Sequence, residues 1–195
     1  MRSRNKIWRG LSSALLLAGV FCLGVWAWSI ARQWLFQSRA SRAFDQQTAE
    51  VRKPSVIPSP APGSLLGRLT IPRLHLSAMV REGTESGTLG VALGHVPGTA
   101  LPGLSGNVGI AGHRDTLFRC LRKISKGDLI VFQTAQGSYT YGVEDTAIVK
   151  PQDIGVLAPG AGPEITLVTC YPFSYIGSAP DRFIVHAQLL PPPGS

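Results

Sequence analysis

The hydrophobic pattern changes character along the 195 residues of the chain. From Gly10 to Ala31 runs an apolar stretch with no charged side chain. At about 1.5 Å rise per residue, a helix of that length spans roughly 30 Å, one hydrocarbon core. Beyond Leu65 the pattern breaks into short β-type runs separated by Gly and Pro. Leu66–Ile71 and Leu76–Val80 alternate around Pro72, and Asn107–Ala111 is an apolar run bounded by glycines. Leu129–Gln133 and Ser138–Glu144 flank a hairpin-like turn at 134–137, and Thr146–Val149, Ile165–Cys170 and Phe183–Leu189 follow. One helix is predicted after Asp115 or Thr116, either of which can cap it, because Leu117, Cys120, Leu121 and Ile124 fall at helical spacing. Many short strands and little helix predict an all-β domain with minor helix, closed or nearly closed into a barrel.

The pattern divides the chain into a basic N-terminus (1–9), a transmembrane helix (10–31), a juxtamembrane helix and Pro-rich linker (32–64), a β domain (65–190) and a short tail (191–195). The β domain is long enough for one core. Its linker, Pro54 to Gly63, favours extended polyproline II and is expected to hold the domain roughly 30 Å from the membrane end at about 3.1 Å per residue.

Charge supports a membrane and argues against nucleic acid. Residues 1–53 carry nine Lys/Arg against Asp45 and Glu50, whereas the remainder is nearly balanced, so +7 of the net +8 belongs to the N-terminal part. A globular part without basic surplus has little to offer a phosphate backbone. Arg2, Arg4, Lys6 and Arg9 precede the apolar run, which favours a cytoplasmic N-terminus, and Trp26, Trp28 and Trp34 cluster near its far end. A cleaved signal peptide is the rival reading, but no small-x-small site follows the run. Either way the β domain is expected outside the cytoplasm.

Three cysteines make no disulfide framework, and no CxxC or zinc-ligand spacing occurs. Cys22 falls in the apolar run. A Cys120–Cys170 bridge is open in an oxidising compartment and would block chemistry at Cys170.

Cys170 ends an apolar strand and is followed by Tyr171-Pro172, and Pro172 cannot continue a ladder, so the thiol is expected at a barrel rim. A lone Cys is more often a small buried hydrophobe than a nucleophile. Two other signals change that balance. His113 lies just past a strand, between Gly112 and Arg114, and Arg182 opens the last strand. Thiol, imidazole and guanidinium are the parts of thiolate acyl transfer: a nucleophile, an acid/base and an oxyanion donor. Taken singly, His113 also fits a turn and Arg182 a salt bridge with Asp181 or Asp115. His95, in the run Gly94 to Thr99, is expected to line the substrate cleft or to stabilise a turn, and Thr169 and Tyr171, beside the thiol, are expected to contact substrate. His75 and His186 read as structural, and Cys120 as core. No cofactor and no metal site is expected, since Glu144 and Asp145 stand alone.

At these residues the chain resembles the sortases, the membrane-anchored cysteine transpeptidases of bacteria. Thr166 to Cys170, Gly112-His113-Arg114-Asp115-Thr116 and Ala179 to Phe183 are similar to the family's active-site signatures. The stretch Gly94 to Thr99 and Cys170-Tyr171-Pro172-Phe173 resemble class D most, with class E next. The resemblance implies an eight-stranded sortase β-barrel with Cys170 as nucleophile, His113 as acid/base and Arg182 as oxyanion and substrate clamp. It also implies cleavage of an LPxTG-like sorting signal and transfer to an amine of a cell-wall precursor or a pilin-like protein subunit. Two other cysteine chemistries fit less well. Papain-like peptidases place Cys before His, the reverse of the order here, and L,D-transpeptidases carry Ser-His-Gly-Cys where this chain has Thr169-Cys170. A non-catalytic, anchored β domain that binds envelope peptides explains the anchor and barrel, but not the three chemical groups at strand edges.

Overall fold

Alternating strands joined by short turns build the domain from Leu65 onward. The computed structural model describes residues 2–50, 60–160, 162–175 and 177–191; within the N-terminal helix the side chains of residues 2–15, 18, 43, 44 and 46–50 are outside that description. The strands are β1 (Leu65–Ile71), β2 (Leu76–Glu82), β3 (Leu93–His95), β4 (Asn107–Ala111), β5 (Leu129–Gln133), β6 (Ser138–Val149), β7 (Glu164–Tyr171) and β8 (Asp181–Leu189). They close a barrel in the order β1-β2-β3-β4-β7-β8-β6-β5. Two pairs, β2/β3 and β4/β7, are parallel, and the others are antiparallel. Inward-facing Leu69, Ile71, Val80, Ile110, Phe132, Tyr141, Leu167 and Val185 fill the interior with almost no exposure. Closure also removes the open edges that would otherwise pair with another chain.

The expected number of strands is present, but two are not the ones the pattern marks. The runs Ser138–Glu144 and Thr146–Val149 form one strand, β6, whose register against β8 shifts between Val143 and Asp145. Glu144 is the extra residue of a bulge, so charged residues that look like a break only bend the strand. Strand β3 is missing from the pattern because three residues, Leu93-Gly94-His95, are too few to display a period. Gly94 is required there, since a Cβ would lie 2.4 Å from the Gly83 carbonyl oxygen.

The expected helix is a 3-10 helix, Leu117–Lys123, and the Thr116 side chain makes no capping bond. Its two fully buried residues, Phe118 and Leu121, stand three apart, the spacing that stacks side chains at three residues per turn. His75 occupies a left-handed turn (φ 52°) rather than a strand.

Helix α1 (Arg2–Glu50) precedes the barrel. Among the described residues no helix is long and apolar enough to cross a membrane. The side chains at 10–15 and 18, part of the expected span, lie outside the description. The C-terminal half of α1 lies directly on the barrel wall. The Gln37 amide donates to the Val91 carbonyl at 2.8 Å and accepts from the Met79 N–H at 2.8 Å. Arg68 pairs with Asp45 at 2.8 Å, and the Arg81 guanidinium sits 5.4 Å from the Phe36 ring centre. This packing differs from a barrel held roughly 30 Å from the membrane end by the Pro-rich linker, of which residues 54–59 lie outside the description. A side-chain amide that satisfies two backbone groups of the barrel, with apolar packing around it, makes direct docking favourable without any spacer.

Arg73, in the turn between β1 and β2, binds the carboxylate of buried Asp128 through Nε and Nη2 and donates to the Lys123 carbonyl at 2.6 Å. The Arg73 guanidinium holds the Asp128 carboxyl below its ordinary range. A group with a lowered folded pKa contributes stability that is full above its unfolded value of about 3.9 and is lost as pH falls through the folded value. Asp128→Asn is therefore expected to destabilise the protein at neutral pH, because it removes the charged partner of Arg73. In urea titrations the gap between wild type and variant should narrow as pH drops below about 4.

Candidate active site

The barrel's hydrogen-bond register assembles the site. Cys170 on β7 is the direct cross-strand partner of Arg182 on β8. Their neighbours Thr169 and Phe183, also partners, point inward: Thr169 is 2% exposed, and Phe183 packs on the core. Successive strand residues alternate faces, so Cys170 and Arg182 both face outward, with Cβ atoms about 5 Å apart for such a pair. This face is half-open, neither buried nor fully exposed.

His113 reaches the same place through β4. Strand β4 runs parallel to β7, with Ala111 abreast of Val168. The pairing continues one step further, because the Gly112 N–H donates to the Val168 carbonyl at 3.1 Å. The Thr169 hydroxyl then donates to the Gly112 carbonyl at 2.7 Å. That bond keeps the chain beside β7 up to the residue before His113, so His113 leaves the sheet alongside Cys170. Gly112 is needed at this point, since a Cβ would press on Leu93 and Phe118 at 2.7 Å. The His113 side chain is exposed, and among the described residues neither its ring nor the Cys170 thiol has a hydrogen-bond partner.

Arg182 is not engaged in the salt bridge that its sequence context allows. Asp181 pairs with Lys150 at 2.8 Å instead. The Arg182 Nη1 donates to the Asp181 carbonyl at 2.9 Å and, more weakly, to the Ala179 carbonyl at 3.4 Å. Carbonyls orient the guanidinium without neutralising it, which leaves its charge for a developing oxyanion. All three cysteines are free thiols, so no Cys120–Cys170 bridge blocks the site. Cys120 is partly buried against the core; burial pushes its thiol pKa up and keeps it protonated.

The three expected substrate contacts sit in different surroundings. His95 is 2% exposed and lies inside the wall rather than in a cleft. Its Nδ1 meets the buried Glu82 carboxylate at 2.7 Å, and its Nε2 meets the Ala100 carbonyl at 2.9 Å and the Thr99 hydroxyl at 3.0 Å. Those partners fix the loop after β3, which matches the turn-stabilising reading. The Thr169 hydroxyl is used by Gly112, as described. The Tyr171 ring stacks on Phe183 (6.3 Å between centroids) and meets Phe173 edge-on at 6.0 Å, forming an aromatic base for the loop between β7 and β8.

One residue without a sequence-assigned role stands out. Arg114, next to His113, donates to the Tyr175 carbonyl at 2.7 Å and the Gly177 carbonyl at 2.9 Å, and its guanidinium lies 6.0 Å from the Tyr175 ring centre. It ties the loop connecting the thiol to Arg182 onto the loop bearing the imidazole. In the sequence it is marked only by its place beside His113 in the run Gly112 to Thr116. Among the described residues no three His, Cys, Asp or Glu side chains converge to hold a metal ion.

The sortase domain family matches residues 69–190. This chain belongs to the sortase family. The family is one of cysteine transpeptidases. Sortase D of Bacillus subtilis is 35% identical over 130 residues, covering 66% of this chain and 66% of that protein. Sortase SrtE1 of Streptomyces coelicolor is 33% identical over 130 residues, 57% of this chain but 37% of the longer relative. Among solved structures, the Clostridium perfringens Sortase D5 transpeptidase superposes with a TM-score of 0.66 at 24% identity, covering 83% of this chain and 99% of that one. At that identity the likeness is one of fold. The family match begins inside β1 and ends just past β8, so it takes in the other seven strands, part of β1 and every residue of the candidate site.

Two substitutions test how the site is held. Thr169→Val keeps the buried shape and removes the bond to Gly112. It is expected to cost about 1 kcal/mol of stability and to lower peptide turnover by one to two orders of magnitude, roughly what a misplaced catalytic group costs. Arg114→Ala should speed hydrogen exchange in the 172–180 loop and raise KM for a peptide substrate more than it lowers kcat, with Arg114→Lys partly restoring both.

Proposed function

We propose that this sortase is a membrane-anchored cysteine transpeptidase that cleaves an LPxTG-like sorting signal and transfers the acyl part to an amine of a cell-wall precursor or a protein subunit. The observation that carries the reading is the register of Cys170 opposite Arg182, with His113 brought alongside by the Gly112–Thr169 bond. In this scheme the Cys170 thiolate attacks the Thr carbonyl carbon of the signal. The new C–S bond forms as the C–N bond breaks, and the leaving amine takes its proton from protonated His113. Arg182 donates to the carbonyl oxygen while it carries negative charge. An acceptor amine then attacks the thioester; a C–N bond forms, the C–S bond breaks, sulfur leaves as thiolate and the amine's proton returns to His113. Every proton and bond is accounted for by these three side chains and the two substrates, and no cofactor is required.

The anchor rests on residues 10–31. Large apolar side chains on this helix, among them Leu16, Leu17, Val20, Phe21, Leu23 and Trp28, are 65–73% exposed in the isolated chain. A helix that is apolar around its whole circumference and leaves those groups uncovered needs an apolar surround. Together with the basic N-terminus, this supports one span, with the barrel on the extracytoplasmic side. The domain division of the sequence reading is part of the same proposal.

Cleavage of a fluorogenic Leu-Pro-x-Thr-Gly peptide tests the chemistry. Cys170→Ala is expected to abolish cleavage with unchanged circular dichroism. His113→Ala and Arg182→Ala should each reduce kcat/KM by about two to three orders of magnitude, the usual cost of losing an acid/base or an oxyanion donor. Near-wild-type turnover in any of the three removes that residue from the scheme.

A further inference from the structure

A cleft of about 770 Å³ opens between the β1–β2 turn and the 3-10 helix that follows the His113 loop. One wall is the β1–β2 turn with Arg73 and His75; the other is the 3-10 helix with Arg119, Arg122 and Lys123. Thr116, three positions after His113, lies on its lining. The topology explains the adjacency. Strands β4 and β7 end at one rim of the barrel, and β2, antiparallel to β4 through β3, starts there. The β1–β2 turn and the two reactive loops therefore share that rim.

The electrostatics of the cleft are one-sided. No Asp or Glu lines it. Arg73 is neutralised by Asp128, but among the described residues Arg119, Arg122 and Lys123 form no ion pair. A run of cations on a convex surface would be only a solvated face. Here they surround a concavity whose walls are fixed to one another, because Arg73 reaches across to the Lys123 carbonyl and to Asp128. A preorganised concave site with three uncompensated cations and an imidazole suits a doubly charged anion, and planar guanidinium groups match phosphate oxygens in pairs.

We propose that this cleft binds a phosphate group carried by the acceptor amine, and so delivers the amine to the thioester from the His113 side. The proposal rests on the transpeptidase reading above. It assigns Arg119, Arg122 and Lys123 a role in acceptor binding and none in thioester formation.

The test uses the full-length chain in detergent, with a Leu-Pro-x-Thr-Gly peptide as donor and two simple acceptors, O-phosphoethanolamine and ethanolamine. At low salt the phosphorylated amine is expected to be the better acceptor by about tenfold or more in kcat/KM, and the preference should fall as salt rises. Arg119→Ala/Arg122→Ala should erase the preference while leaving donor cleavage and transfer to hydroxylamine unchanged. Inorganic phosphate, followed by calorimetry, should bind wild type and not the double variant. Equal rates for the two acceptors, with no phosphate binding, overturn the proposal. Phosphate binding without acceptor preference also overturns it and makes the cleft a site for a free anion or a lipid headgroup. Failure of the donor to form a thioester in the wild type would instead sink the transpeptidase reading, and the phosphate titration would still report on the cleft.

Discussion

The pairing of β7 with β8 is the constraint on which the site depends. It places Cys170 directly across from Arg182 and turns both outward, and it does so with backbone hydrogen bonds, which are hard to perturb from the surface. A slip of one residue in this register would send the thiol and the guanidinium to opposite faces of the sheet. The inward neighbours prevent such a slip. Thr169 and Phe183 are buried on the other face, and Ile165, Leu167, Val185 and Ala187 continue the same inward row. The core of the barrel therefore sets the geometry of its rim.

His113 is held by a different means. It lies beyond the end of β4, where the ladder has run out, and its position depends on one extra backbone bond and the Thr169 hydroxyl. Arg114 adds a tie from the opposite direction, through the loop that joins Cys170 to Arg182. The thiol and the guanidinium thus sit on a rigid sheet, whereas the imidazole sits on a segment fastened at two points. That division suits an acid/base that serves first a leaving amine and then an incoming one. The same segment runs on into the 3-10 helix that forms one wall of the cationic cleft, so a ligand bound there touches the element that carries the imidazole.

Much of this was legible in the sequence. Long alternating strands such as β7 and β8 announce themselves, and a Cys followed by Tyr-Pro at a strand end marks a rim. What stayed hidden was set by contacts distant in the chain. Strand β3 is only three residues long, and its place depends on pairing with β2 and β4 rather than on its own pattern. The continuity of β6 depends on a bulge at Glu144. His95 reads equally as a cleft or a turn residue, and its partner Glu82 lies 13 positions away; the Thr169 hydroxyl has no visible partner in the sequence, and Gly112, which takes it, lies 57 positions away. Docking of α1 on the barrel depends on Gln37, a residue with no signature at all. Chemistry-bearing residues were visible because few alternatives explain them; the residues that position them were not, because their partners lie elsewhere in the sequence.

The central claim is that sulfur, imidazole and guanidinium act together at Cys170. Acid quenching of the full-length protein with a panel of Leu-Pro-x-Thr-Gly peptides, followed by intact mass and peptide mapping, tests it most directly. The account predicts an acyl adduct that ends at the Thr of the peptide and maps to Cys170, and that hydroxylamine releases. An adduct on Cys120 or Cys22, or signal cleavage with no covalent intermediate on any thiol, would contradict it.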